Sequence, residues 1–482
     1  MRLNQTIKMH YERIYPFLFL FYFFCLFSFG RSFSILYIPT PWLPVFITEI
    51  FLLCSLPYLI FNVKRILDLP KWFAIIVGLF WAQAGVHFIN AAIIHKNPFA
   101  LRDIVFSVYP VIFFLTFMVF REQRYWKYFF VLVLIGNVIS IVLSRFFCLT
   151  QPIFTDTSMV VPHMMLILST NRGFHLAFFL GMGASFITGF YFIQSNKFLK
   201  WFLIFLAVLD YYQVVSMTCR AAWIAMGVAV ILTIWILKKQ MTRKWGLILG
   251  FSFLCCAGLY YVDYMAHGER AASVSGKAKS LVDCSKTQIY KLANTILPKN
   301  CALLDQKASV SQNVNDNKDL QLSDKMQDIS VATAKWRYFI WNQSIEFGMT
   351  SPIWGKGFGV YPKYHYNDGS LMAAIKGYGL NSGVIPSHNF ILAVFYKMGF
   401  IGLLLFMGIW IYVFYYSQVL LKVYQVRSLE FSIVIGVFLS LVWWFFMGLF
   451  SDMIESPTVS VILWFLVGLL FSVKIPTKME PK

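Results

Sequence analysis

A histidine and three arginines occupy the positions from which chemistry is most directly argued. His388, in Ser387-His388-Asn389, stands where a polar segment gives way to a long apolar run. Arg220, in Thr218-Cys219-Arg220-Ala221-Ala222, and Arg172, in Asn171-Arg172-Gly173-Phe174, each head another apolar run. The first N–H groups of a helix lack internal partners and the helix dipole puts partial positive charge there. An arginine at such a position strengthens an anion site, and two guanidinium forks match the oxygens of a diphosphate. The same dipole disfavours a protonated His388, and a neutral imidazole can take a proton from a hydroxyl. Together these residues would hold a diphosphate leaving group and activate an alcohol. Arg337, one helical turn before Trp341, is a further cation for sugar or phosphate. Each residue alone has a plainer reading: Ser387 as a helix cap beside an idle histidine, Arg220 snorkelling to headgroups, Arg172 as a topological anchor. The chemical reading depends on their lying together.

What must bring them together is a set of membrane-spanning helices. The chain of 482 residues is 59% hydrophobic and 13% charged, with 51 Phe, which places it among membrane proteins. A bilayer core of roughly 30 Å needs about 20 apolar residues per helix. Twelve runs qualify, near 15–36, 42–63, 72–94, 104–120, 128–147, 174–193, 201–218, 220–237, 245–262, 389–416, 431–450 and 458–473. The basic start (Arg2, Lys8, Arg13) has the look of a signal peptide, but no small-residue cleavage site follows the first run, which reads as a retained helix.

Lys and Arg set the orientation. With the N-terminus inside, the inner segments carry 20 of them and the short outer loops six. Much of the net charge of +20 is therefore topogenic, which removes the case for nucleic-acid binding. In this topology the runs headed by Arg172, Arg220 and His388 all begin at the outer surface. The one long interruption, 263–387, is outside as well, giving the organisation 1–262 (nine helices), 263–387 (an outer loop domain) and 388–482 (three helices).

Within that loop, residues 305–328 are polar and poor in aromatics, a composition that favours disorder. Cys284 and Cys301 could pair if the outer side is oxidising. Trp336, Phe339, Ile340 and Ile345 repeat at helical spacing, with Arg337 and Trp341 on another face; Pro352 ends this helix, and Gly355, Gly357 and Gly359 make a turn. No strand precedes those glycines, so they are no nucleotide fingerprint. Gln83, His87 and Asn90 share a helix face, as cavity lining or as interhelical hydrogen-bonders. Asp452 and Glu455 sit in an outer turn, where they could orient a basic residue or an acceptor, though exposed loop charges are the commoner case. Zinc spacing, Walker, G-x-S-x-G, H-E-x-x-H and D-x-D motifs are all missing. Without the metal-nucleotide grip of sugar-nucleotide transferases, a lipid-linked donor with arginines in place of a metal is the better expectation.

Three motifs resemble the bacterial O-antigen ligase and polymerase family: Thr218 to Ala222, the Arg337 helix with its following Pro and Gly-x-Gly, and Ser-His-Asn-x-x-Leu over Ser387 to Leu392. The resemblance is best over about residues 170–473. It implies an all-α polytopic, GT-C-like membrane protein of about twelve helices with a large helical periplasmic loop between helices nine and ten. It implies an inverting, metal-independent, cofactor-free transfer of glycan from undecaprenyl diphosphate to lipid A–core, outside the bacterial inner membrane. Carried over by position, His388 and Arg220 become catalytic, and Arg172, Arg337, Trp341 and Asn389 substrate-binding. Cys219 departs from the family's commoner Ser before the arginine, and Arg172-Gly173-Phe174 matches only loosely. Rival readings are an O-antigen polymerase, a protein O-oligosaccharyltransferase and, from another class, a transporter or flippase with paired broken helices near mid-membrane.

Overall fold

The computed structural model describes residues 2–34, 36–38, 45–97, 100, 103, 106, 108–146, 173–216, 219–237, 337–362, 387–451 and 453–475, a few of them by backbone alone. The chain divides into two compact units, Met1–Ser252 with Phe339–Lys482, and Phe253–Tyr338. Of the second unit only Arg337 and Tyr338 are described.

The protein is an all-α polytopic membrane protein. Its helices are α1 (Arg2–Phe29), α2 (Ile47–Asn62), α3 (Lys71–Ile89), α4 (Pro110–Phe120), α5 (Arg124–Phe146), α6 (Gly173–Ile193), α7 (Lys197–Ser216), α8 (Arg220–Leu237), α9 (337–349), α10 (Phe390–Val423), α11 (Leu429–Gly448) and α12 (Pro457–Ser472). Two two-residue strands, Tyr37–Ile38 and Val45–Phe46, pair antiparallel before α2. Seven described helices are long and apolar enough to cross a membrane, and α4, α8 and α12 are shorter apolar helices. Eleven of the twelve expected spans coincide with helices; the ninth, 245–262, is outside the described residues, as are Arg172, Cys284, Cys301 and Asp452.

Helices α4, α11 and α12 are apolar on every side and buried on every side, and they form the centre. Around them α2, α3, α5 and α10 turn large apolar side chains outward, Leu53, Leu79, Val131 and Leu404 among them, a surface suited to lipid. Between α6 and α11 the approach is too close for side chains. A Cβ on Gly181 would overlap the Trp443 ring, and one on Gly189 the Ser432 carbonyl. Small residues at such crossings let dispersion contacts replace a hydrophobic driving force that lipid cannot supply.

Helix α10 departs from expectation. Its 34 residues run through a break at Gly399 (φ 67, ψ −169). Beyond the break, residues 400–423 alone make about 36 Å of helix at 1.5 Å per residue, enough to cross a core of roughly 30 Å. The segment 390–398 lies on the other side of the break, packed with α9, residues 350–362 and the 449–456 turn.

Candidate functional site

The head of α10 is built by three consecutive polar residues. Asn389 takes an extended backbone (φ −154, ψ 120), and its Oδ1 accepts from the N–H groups of Ile391 (2.9 Å) and Leu392 (3.2 Å). Its Nδ2 donates to the Leu449 carbonyl at 3.0 Å. Asn389 is thus the N-cap, not Ser387 as expected. Both types cap well, but Ser387 lies two residues too early to reach the second and third helical N–H groups. Its buried hydroxyl donates instead to the Asn389 carbonyl at 2.8 Å. Between them His388 is held at φ 50, in the left-handed region, half-buried. That conformation costs a side-chain-bearing residue roughly 1–2 kcal/mol, and the hydrogen bonds of its two neighbours over-determine it.

A break in a helix frees backbone groups that must find partners. Here the segment after Pro352 plugs the gap. Lys356 N donates to Tyr396 O (2.8 Å) and Gly357 N to Lys397 O (3.0 Å). Phe400 N donates to Pro352 O (2.7 Å), Ile401 N to Ile353 O (3.3 Å), and Gln83 Nε2 to Met398 O (2.8 Å). The expected glycine turn exists, with Gly355, Gly357 and Gly359 all at positive φ. A Cβ on Gly355 would overlap the Lys397 carbonyl, and one on Gly399 the Ile353 carbonyl. Gln83 is accordingly an interhelical hydrogen-bonder, and His87 lies against Trp354 (ring centroids 5.2 Å apart).

Two residues before the break the sequence places a lysine that its motifs do not flag. Lys397 Nζ bonds Asp103 Oδ1 and stands 2.9 Å from Glu455 Oε1, with side-chain exposures of 0%, 0% and 2% for lysine, aspartate and glutamate. Tyr361 OH donates to Asp103 Oδ1 (3.1 Å), Gly359 N to Asp103 Oδ2 (2.7 Å), and Tyr396 OH to Glu455 Oε1 (3.1 Å). The ammonium also faces the Tyr361 ring at 4.5 Å. Burial pushes the Asp103 carboxyl above the ordinary carboxylate range, opposed by the Lys397 charge. Glu455 is therefore a buried partner of a basic residue and not the exposed loop charge that was the commoner expectation. Lys397 had a signal in the sequence, as the only lysine inside an expected span, where charges are functional candidates by default. Asp103 had none.

The 449–456 turn gathers the pieces. Leu449 receives Asn389, Glu455 receives Tyr396 and Lys397, and Phe450 lies 6.4 Å, centroid to centroid, from Trp341 of α9. Ser456 Oγ is 3.3 Å from His175 Nε2, near the start of α6. The head of α6, three residues from Arg172 in the chain, thus meets the same turn as the head of α10. A three-residue turn returns α7 along α6, and three residues separate the end of α7 from the start of α8, so Arg220 heads its helix at this same end of the bundle. The Arg220 side chain is outside the described residues. Arg337 opens α9, half-buried, and belongs to the second unit. In α9, Ile340 is buried but Ile345 is exposed, so the expected apolar face is rotated: Ser344 and Gly348 complete the buried side, with Gly348 against the Phe395 ring. Among the described residues no group of three or more His, Cys, Asp or Glu is placed to hold a metal.

Residues 214–407 match the family model described as O-antigen ligase. The match takes in Arg220, Arg337, Trp341, His388, Asn389 and Lys397, and ends just past the break in α10. Arg172, Asp103 and Glu455 fall outside it. No curated protein matches the sequence.

Proposed function

Because residues 214–407 match the O-antigen ligase family model, we propose that the protein is an O-antigen ligase of a Gram-negative inner membrane. In this reading it transfers glycan from undecaprenyl diphosphate to a lipid A–core acceptor at the periplasmic face, with both termini cytoplasmic and 263–387 forming a periplasmic loop domain. The observation that carries the reading is the pinned His388 at the head of α10, on a turn that also receives α9 and the head of α6. His388 takes the proton of the acceptor hydroxyl, and the freed oxygen lone pair attacks the anomeric carbon. The bond from that carbon to the diphosphate breaks, its electrons pass to the leaving oxygen, and Arg220 and Arg172 stabilise the charge. A single displacement inverts the anomeric centre, and no step calls on a metal ion. The proton ends on His388, and undecaprenyl diphosphate departs. Trp341 offers an aromatic face to a sugar, while Asn389 serves chiefly by capping α10 and holding His388.

The broken helix does not favour a transporter. The break is above a segment long enough to span the membrane alone, and the plug saturates it with protein groups, whereas paired breaks lining a midplane cavity would be needed. Deleting the gene in the native host and resolving the glycolipids tests the reading. Loss of capped lipid A–core, with long undecaprenyl-linked chains accumulating, is expected. Accumulation of single repeat units would assign the chain to polymerisation instead.

A further inference from the structure

Helix α9 and the segment after it present three distinct sides. Ile340, Ser344 and Gly348, at helical spacing, are buried against the protein. Gln343 and Glu346 are hydrogen-bonded to each other at 3.0 Å on an exposed polar side. Between these sides, Ile345 and Met349, four residues apart, are 43% and 54% exposed, and the chain continues into Ile353 (67%) and Trp354 (47%). An exposed apolar strip of this kind on a water-facing domain would be an aggregation hazard.

Its continuation says what covers it. Pro352 and Ile353 are hydrogen-bonded through their carbonyls to Phe400 and Ile401, the first residues of the membrane-crossing part of α10. From there the exposed residues Phe400, Leu404, Ile411 and Tyr415 follow one another down that helix at helical spacing, on a surface only lipid can cover. The strip on 345–354 is thus the upward extension of a lipid-facing stripe, and it starts where the length of α10 puts the edge of the hydrocarbon. Trp354, set there against His87 of α3, has the amphipathic ring that membrane interfaces favour.

We infer that residues 345–354 form an interfacial membrane anchor. Ile345, Met349, Ile353 and Trp354 enter the boundary between headgroups and acyl chains of the bilayer, with Gln343 and Glu346 facing water. This requires only that the protein spans a membrane and is independent of the glycan-transfer reading. The anchor fixes the height of α9 over the bilayer, and through Gly348 and Phe395 that of the α10 head.

Spin labels on cysteines replacing Ile353, Met349, Gln343 and Glu346 one at a time, in full-length protein free of its eight native cysteines, test the anchor. The protein is reconstituted in phosphatidylethanolamine–phosphatidylglycerol vesicles, and collision rates with oxygen and with a water-soluble nickel chelate are compared. The ratio of oxygen to nickel collisions is expected to be several-fold higher at 349 and 353 than at 343 and 346. Equal ratios at the four positions would overturn the anchor, and exclusion of both reagents from 349 and 353 would replace it with a contact between copies of the chain. Should the cysteine-free protein not be monodisperse, a bilayer-dissolved carbene precursor applied to the native protein must label 345–354. Absence of that label refutes the inference equally.

Discussion

Replacing Lys397 by methionine keeps most of the side-chain volume and removes one charge. In the intact protein the ammonium sits between Asp103 and Glu455, both essentially unexposed, so the substitution leaves two carboxylates facing each other without a counter-ion. Removing one partner of a buried ion pair typically costs about 3–5 kcal/mol. The donors that remain, Tyr361 OH and Gly359 N–H to Asp103 and Tyr396 OH to Glu455, moderate the loss. Oxygen Oε2 of Glu455, without a hydrogen-bond partner among the described residues, works the other way. We expect Lys397→Met to lower unfolding free energy by about 3–5 kcal/mol, measured by SDS titration or steric trapping in bicelles. The neutral triple variant Lys397→Met, Asp103→Asn, Glu455→Gln is expected to recover most of that loss, because no uncompensated charge remains. Hydrogen exchange locates the effect: amides of 390–401, 352–359 and 449–456 should deprotect together in the single variant and recover together in the triple. A single variant within about 1 kcal/mol of the intact protein, or deprotection confined to one of the three segments, would refute the clamp.

His388→Ala and Arg220→Ala are each expected to abolish glycan transfer in a reconstituted assay while the protein inserts at normal levels; near-normal transfer by either removes that residue from the mechanism. Transfer should persist after exhaustive chelation, and a strict metal requirement would contradict the arginine-based account of the leaving group. Asn389→Ala is expected to destabilise by about 0.5–2 kcal/mol through the lost cap, seen in the same unfolding titration. Gly399→Ala combines a left-handed backbone with a Cβ that overlaps the Ile353 carbonyl, and should expel the plug. Unchanged exchange protection at Lys356 and Gly357 would show that the break does not depend on it.

What the sequence made legible follows physical range. Apolar runs report helices because lipid demands backbone bonds closed within each segment, and the expected spans from α1 to α8 and from α10 to α12 follow directly. The glycines at 355, 357 and 359 announced a turn, but not that it would enter a broken helix, because its partners are about forty residues further on. At Ser387 and Asn389 two equally good capping types compete, and only the contact with Leu449 decides between them. Lys397 is visible as an anomaly, yet its partners come from a segment before α4 and a turn after α11. Such pairings have no local signature: Asp103 entered the site unannounced, and Glu455 was visible only as a turn carboxylate without a named partner. In α9 the buried side is set by Gly348 meeting Phe395, which hydropathy spacing over Phe339, Ile340 and Ile345 cannot express.

The buried triad also imposes an order on synthesis. Asp103 leaves the ribosome first, Lys397 long afterwards and Glu455 last. When α10 has been made its lysine can meet Asp103 but not yet Glu455. Only when α11 has crossed and the turn before α12 has followed can Glu455 reach it. The contact between Lys397 and the 449–456 turn therefore closes only after α11 is in place. A chain interrupted between α11 and that turn would hold every residue of the matched family segment and still lack the contact that closes it.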